Sequence, residues 1–140
     1  MEFKEIKKDL FKMPEEYALA HCISADAKMS AGIAVEFKKR FKLSSLQEDA
    51  RQDRLQVGSC YKVGRVLNLA TKPKYWQKPT YDTLTASLKT MRKICLSDSI
   101  TQIAMPEIGC GLDKLQWGKV REILHEIFKD TDIEIVICRI

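Results

Sequence analysis

Apolar and polar positions along this chain switch repeatedly between a two-residue and a three-to-four-residue period, the signatures of strand and helix. Residues 2–6 predict a short strand. Residues 17–23, Tyr-Ala-Leu-Ala-His-Cys-Ile, predict a buried strand. Residues 32–41 predict a helix with Ile33, Phe37 and Phe41 on one face, and the polar stretch 44–53 a further short helix. Strand-like segments follow at 55–57 and 63–70. Pro79, placed in a first helical turn, opens a longer helix over 80–96. Its stripe of Tyr81, Leu84, Leu88, Met91 and Cys95 runs at steps of three and four. A strand at 101–105 ends at Pro106. A glycine-bearing loop, Ile108-Gly109-Cys110-Gly111-Leu112-Asp113, leads into a helix over 116–129 with Trp117, Val120, Leu124 and Ile127 inward. The closing strand, 133–140, is apolar at nearly every position and belongs well inside a sheet. Strands alternating with helices predict a three-layer α/β/α fold around a central mixed sheet.

Composition narrows the picture. A chain of 140 residues fits a single domain, 1–140, and buries roughly two thirds of its unfolded surface without staples. The apolar share of 45% and the charged share of 31% are those of a globular protein. No apolar run reaches the roughly 20 residues of a spanning helix, and the first residues lack the apolar core of a signal peptide. An intracellular protein, cytoplasmic or nuclear and without a membrane partner, is therefore expected, and a monomer. Cys22, Cys60, Cys95, Cys110 and Cys138 are widely spaced, and His21 and His125 are far apart. Neither a zinc site nor another metal or cofactor is expected, and reduced thiols follow from the same spacing. The net charge of +5 suits an anionic ligand as well as plain solubility. Lys38-Lys39-Arg40 lies on a predicted helix and reads as a solvated face.

In such sheets ligands sit at the carboxyl ends of strands, where loops lead into helices. Two loops, 24–32 and 106–113, occupy that place. In the second, Gly109 and Gly111 let the backbone approach a ligand, and the following helix start favours phosphate. Lys114 stands where a third glycine would complete a dinucleotide fingerprint, so the loop matches no standard phosphate motif. Alone it fits a phosphate cradle and a tight strand-to-helix turn equally. In the first loop Ser30, Ala31 and Gly32 permit close approach to an anion, while Ser30 also fits a plain helix cap. Lys72 at a strand end reads as an exposed tail or, in a drier pocket, a nucleophilic amine. His21, inside an apolar strand, reads as a core histidine. Tyr75 and Trp76 suit base stacking or a surface loop.

In chain order these segments are Lys8-Asp9-Leu10-Phe11, Ala20-His21-Cys22-Ile23-Ser24, and Ala31-Gly32-Ile33-Ala34-Val35 into Phe37-Lys38-Lys39. Then come Thr71-Lys72, Lys78-Pro79-Thr80-Tyr81, and Met105-Pro106 through Asp113 to Leu115-Gln116-Trp117. Together they resemble the macrodomain family, and within it the terminal ADP-ribose protein glycohydrolase branch. The likeness runs through nearly the whole chain, with 50–62 the poorest match. The branch's usual Gly-Ala-Gly stands here as Ser30-Ala31-Gly32.

The resemblance implies a role for each matched position. Asp9, beside Leu10, would accept from the adenine amino group. Ala31, Gly32, Ile33 and Ala34, with Pro106, Ile108, Gly109, Cys110, Gly111 and Leu112, would hold the diphosphate. His21 and Ser24 fall in the matched segment near the distal ribose. Lys72 and Asp113 would be catalytic, the lysine attacking the anomeric carbon and the aspartate resolving the adduct. The implied partners are ADP-ribose and ADP-ribosylated proteins, with ADP-ribosylated nucleic acid a further candidate. The implied activity is an ADP-ribosyl hydrolase acting on acidic side chains, on O-acetyl-ADP-ribose or on modified bases. A non-catalytic ADP-ribose reader is the alternative, and a nucleic-acid binder, resting only on the +5 charge, a distant third.

Overall fold

A computed structural model describes residues 1–140. Its six-stranded sheet comprises β1 (Glu2–Lys7), β2 (Ala18–Ser24), β3 (Ser59–Val63), β4 (Val66–Lys72), β5 (Gln102–Met105) and β6 (Glu134–Arg139), in the order β1-β6-β5-β2-β4-β3. All neighbours are parallel except β3, which runs antiparallel to β4. The sheet is therefore mixed, and the apolar β6 lies inside it.

Side-chain alternation sends each strand's residues to two separate cores. Ala18, Ala20, Leu67, Leu69, Ile103, Met105, Ile135 and Ile137 meet the helices α3 (Tyr81–Ser97) and α4 (Trp117–Phe128). Leu19, Ile23, Val66, Ala70, Ala104, Val136 and Cys138 face the helices α1 (Ile33–Phe41) and α2 (Ser44–Arg51), together with a single 3-10 turn at Leu10–Lys12. These are the three layers that periodicity predicts. The α3 stripe holds: Leu84, Leu88, Met91 and Cys95 have no solvent exposure.

Three local expectations need correction. Residues 55–57 form no strand, because Gly58 at φ +87° turns the chain into β3. The strand expected over 63–70 is two strands, divided at Gly64-Arg65. Gly64, at φ +56°, opens a two-residue hairpin loop, and the Arg65 side chain donates to the carbonyls of Tyr17 (2.6 Å) and Met13 (2.8 Å). Pro79 precedes the first turn of α3, whose cap is Thr80, with reciprocal bonds between Thr80 and Thr83.

His21 belongs to the α1-side core. Its ring lies 3.9 Å from that of Phe37 in a stacked arrangement. Asn68 donates its amide N–H to Tyr61, so its Oδ1 accepts from His21 Nε2 at 2.6 Å. That leaves Nδ1 unprotonated and without a partner. Burial lowers the His21 pKa from 6.5 to about 4. Between those values the unfolded chain binds a proton that the folded chain refuses. Stability is therefore expected to fall as pH drops from 6.5 toward 4, by up to about 3 kcal/mol. Denaturant midpoints at pH 7 and pH 5 check this, and a His21→Gln variant should lose most of the difference.

Candidate active site

The crevice opens where neighbouring β2 and β5 send their chains to opposite faces of the sheet. The loop after β2 enters α1, and the loop after β5 enters α4. That is the switch point at which open α/β sheets bind ligands. A cleft of about 500 Å³ lies there, a size suited to a nucleotide-like molecule.

One wall is the start of α1. Gly32 caps that helix at φ 63°, ψ −153°, without any side-chain cap, a conformation essentially confined to glycine. The amides of Gly32, Ile33 and Ala34 donate to no other group of the protein, so the helix start keeps open donors and a favourable field for an anion. The Ser30 cap that the sequence also allows does not form. The facing wall is the loop after β5. Gly109 is at φ 74°, where a Cβ would meet Leu115 at 3.0 Å. Leu115 N–H donates to Gly109 O (2.8 Å) and Lys114 N–H to Gly111 O (3.2 Å), which folds the loop on itself. The amides of Gly109, Gly111 and Leu112 are left without an acceptor. Leu112, 61% exposed, leans toward Gly32: a Cβ built there would lie 3.4 Å from its side chain.

At the β4 end of the cleft, Lys72 Nζ meets Asp113 Oδ1 at 2.6 Å, each side chain only 14% exposed. The two come from residues 41 apart in sequence, so folding alone joins them. Ser24 closes this end, its hydroxyl donating to Asp26. Asp26 also accepts from Tyr75 N–H (3.1 Å) and so ties the 73–77 segment beside the pair. Lys78 donates to Leu112 O at 2.6 Å, pinning the residue next to Asp113.

Most of the expected residues meet in this cleft: Ser24, Ala31, Gly32, Ile33, Ala34, Lys72, Pro106, Ile108, Gly109, Gly111, Leu112 and Asp113 all line it. Four lie outside its lining. His21 sits in the core beneath, Leu10 is buried, and Asp9 is exposed, with one carboxylate oxygen accepting from Phe11 N–H at 3.0 Å. Cys110 turns its thiol to Ile108 O, and burial raises its pKa to about 11. That thiol is a poor nucleophile near neutrality. Burial likewise pushes the Cys22 thiol, in the cleft wall, up to about 12. Reasoning from sequence missed Lys78 and Glu107. Lys78 sits in a quoted segment, so its place before the α3 cap was the available signal. Glu107 lies in the 106–113 loop that the sequence singled out, and it lines the cleft while pairing with Arg139, 3.5 Å away on β6.

No family model matches the chain. It is 44% identical over 135 residues to the human ADP-ribose glycohydrolase OARD1, across 94% of this chain and 88% of that protein. Among solved structures, the macrodomain of Mycobacterium tuberculosis DarG superposes with a TM-score of 0.91 at 21% identity, covering 99% of this chain and 97% of that one. Thermosipho africanus DarTG in complex with ADP-ribose gives a TM-score of 0.83 at 18% identity, over 98% of this chain and 41% of that one.

Proposed function

We propose, from the premise that this chain belongs to the macrodomain family and to its terminal ADP-ribose protein glycohydrolase branch, that it hydrolyses ADP-ribosyl groups and uses Lys72 and Asp113 to do so. The observation that carries the mechanism is the 2.6 Å lysine–carboxylate pair at one end of a cleft whose other walls present unpaired backbone amides. A reader that only holds ADP-ribose has no use for such a pair.

The amides of 32–34 and of Gly109, Gly111 and Leu112 bind the diphosphate, and Asp9 accepts from the adenine amino group. The distal ribose then lies against Ser24, Lys72 and Asp113. Attack needs the lysine lone pair, so Lys72 first gives up a proton, and Asp113 is the neighbouring acceptor. The amine attacks the anomeric carbon. The bond from that carbon to the acceptor's carboxylate oxygen breaks, and the carboxylate leaves with the electron pair and takes from Asp113 the proton it had accepted, which returns Asp113 to its anionic form. Water next attacks the same carbon, Asp113 takes its proton, and the amine departs with the electrons of its own bond. Once anionic again, Asp113 also stabilises positive character on the ribose as water attacks.

The substrate class favoured is mono-ADP-ribose esterified to acidic side chains. O-acetyl-ADP-ribose and ADP-ribosylated bases follow as further substrate candidates. Five free thiols suit a reducing compartment inside the cell. The test is direct: a glutamate-ADP-ribosylated peptide incubated with the protein should yield free ADP-ribose and unmodified peptide, resolved by chromatography. Tight binding of ADP-ribose without release would favour the reader instead.

A further inference from the structure

A second hollow, of about 600 Å³, shares the Tyr75–Trp76 wall with the cleft. Lys72 ends β4, and residues 73–76 follow it directly, so this wall stands next to the lysine–carboxylate pair. A group attached to a ribose held at this pair has this wall as a neighbour. Trp76 is 68% exposed and Tyr75 53%, although the backbone beneath them is fixed by the Tyr75–Asp26 bond. Exposed aromatic side chains on a fixed segment are the usual anchors of a recognition surface.

The floor of the hollow is aliphatic, formed by Ala50, Leu55 and Val57. Its rim carries Lys28, Arg51 and Lys74, all exposed. Arg51 leans on Glu48 at 2.7 Å. The Asp26 carboxylate is spent on Ser24, Tyr75 and the Lys28 backbone, which leaves Asp53 as the rim's free acid. Resting on the hydrolase reading above, the geometry points to this hollow as the acceptor subsite. It takes a polypeptide in which acidic residues flank the modified side chain. The aliphatic floor takes neighbouring side chains, and the rim lysines take the flanking carboxylates. Asp53 and the mixed signs of the rim disfavour a polyphosphate backbone, which needs a continuous positive track.

The test compares the wild type with a Lys28→Glu/Lys74→Glu variant on three substrates: a glutamate-ADP-ribosylated peptide with acidic flanks, the same peptide with lysine flanks, and O-acetyl-ADP-ribose. Reversing the two charges should raise KM for the acidic peptide about tenfold. It should lower KM for the lysine-flanked peptide and leave the acetyl substrate unchanged. That charge swap is something a merely structural role would not produce. Equal losses on peptide and acetyl substrates overturn the assignment, as do unchanged peptide kinetics. So does a loss confined to an ADP-ribosylated oligonucleotide run in parallel. A wild type inactive on all substrates would instead sink the hydrolase reading itself.

Discussion

Lys72→Ala is expected to lower release of ADP-ribose from a modified peptide by at least about 10³-fold, the scale on which covalent catalysis collapses without its nucleophile. ADP-ribose should still bind, because the groups assigned to its diphosphate are backbone amides of 32–34 and of Gly109, Gly111 and Leu112. Release followed by chromatography, with affinity followed by calorimetry, separates the two effects. Lys72→Arg sharpens the result. A guanidinium keeps the charge and an ion pair with Asp113 but stays protonated. If the lysine served only to hold Asp113 at 2.6 Å, arginine would restore much of the rate. As nucleophile it leaves the arginine variant as inactive as alanine. Unchanged turnover in Lys72→Ala would remove the catalytic assignment outright.

Asp113→Ala has a different signature. Loss of a positioned proton-transfer group costs about 10²–10⁴-fold in rate. In the proposed sequence the loss falls most heavily on the second step, where water must be deprotonated to displace the lysine. The adduct on Lys72 should therefore accumulate. Intact mass spectrometry of Asp113→Ala after incubation with substrate should show one added ADP-ribosyl unit, absent from a Lys72→Ala/Asp113→Ala protein. An inactive Asp113→Ala that carries no added mass would argue against a covalent route.

The fold was legible because the core strands stand out as short apolar runs whose successive residues serve two cores. Leu67 and Leu69 face one core while Val66 and Ala70 face the other, and the α3 stripe never slips. Misreadings fell where one glycine overrides pattern, as at Gly58 and Gly64, whose positive φ breaks an apolar run into hairpin pieces. The site was legible as two loops at strand ends, and the order of short motifs tied them to one family. Contacts between segments distant in the chain were not. Nothing near Lys72 in sequence points to Asp113, and Arg65 looks like a routine surface cation although it bonds to the carbonyls of Met13 and Tyr17. His21 shows the limit of segment matching: it directly precedes the cleft-lining Cys22, Ile23 and Ser24 in sequence, yet its ring lies in the α1-side core against Phe37.

Because the loop after β2 is continuous with α1 and the loop after β5 with α4, the two halves of the crevice rest on opposite faces of the sheet, one per hydrophobic layer. Neither layer alone can keep the halves aligned. A void left by truncating Phe37 on one face, or Val120 on the other, would let its own half drift against its counterpart. The protein is thus exposed to a class of damage in which a mutation remote from every reacting atom silences it by misalignment, while most of the chain stays folded.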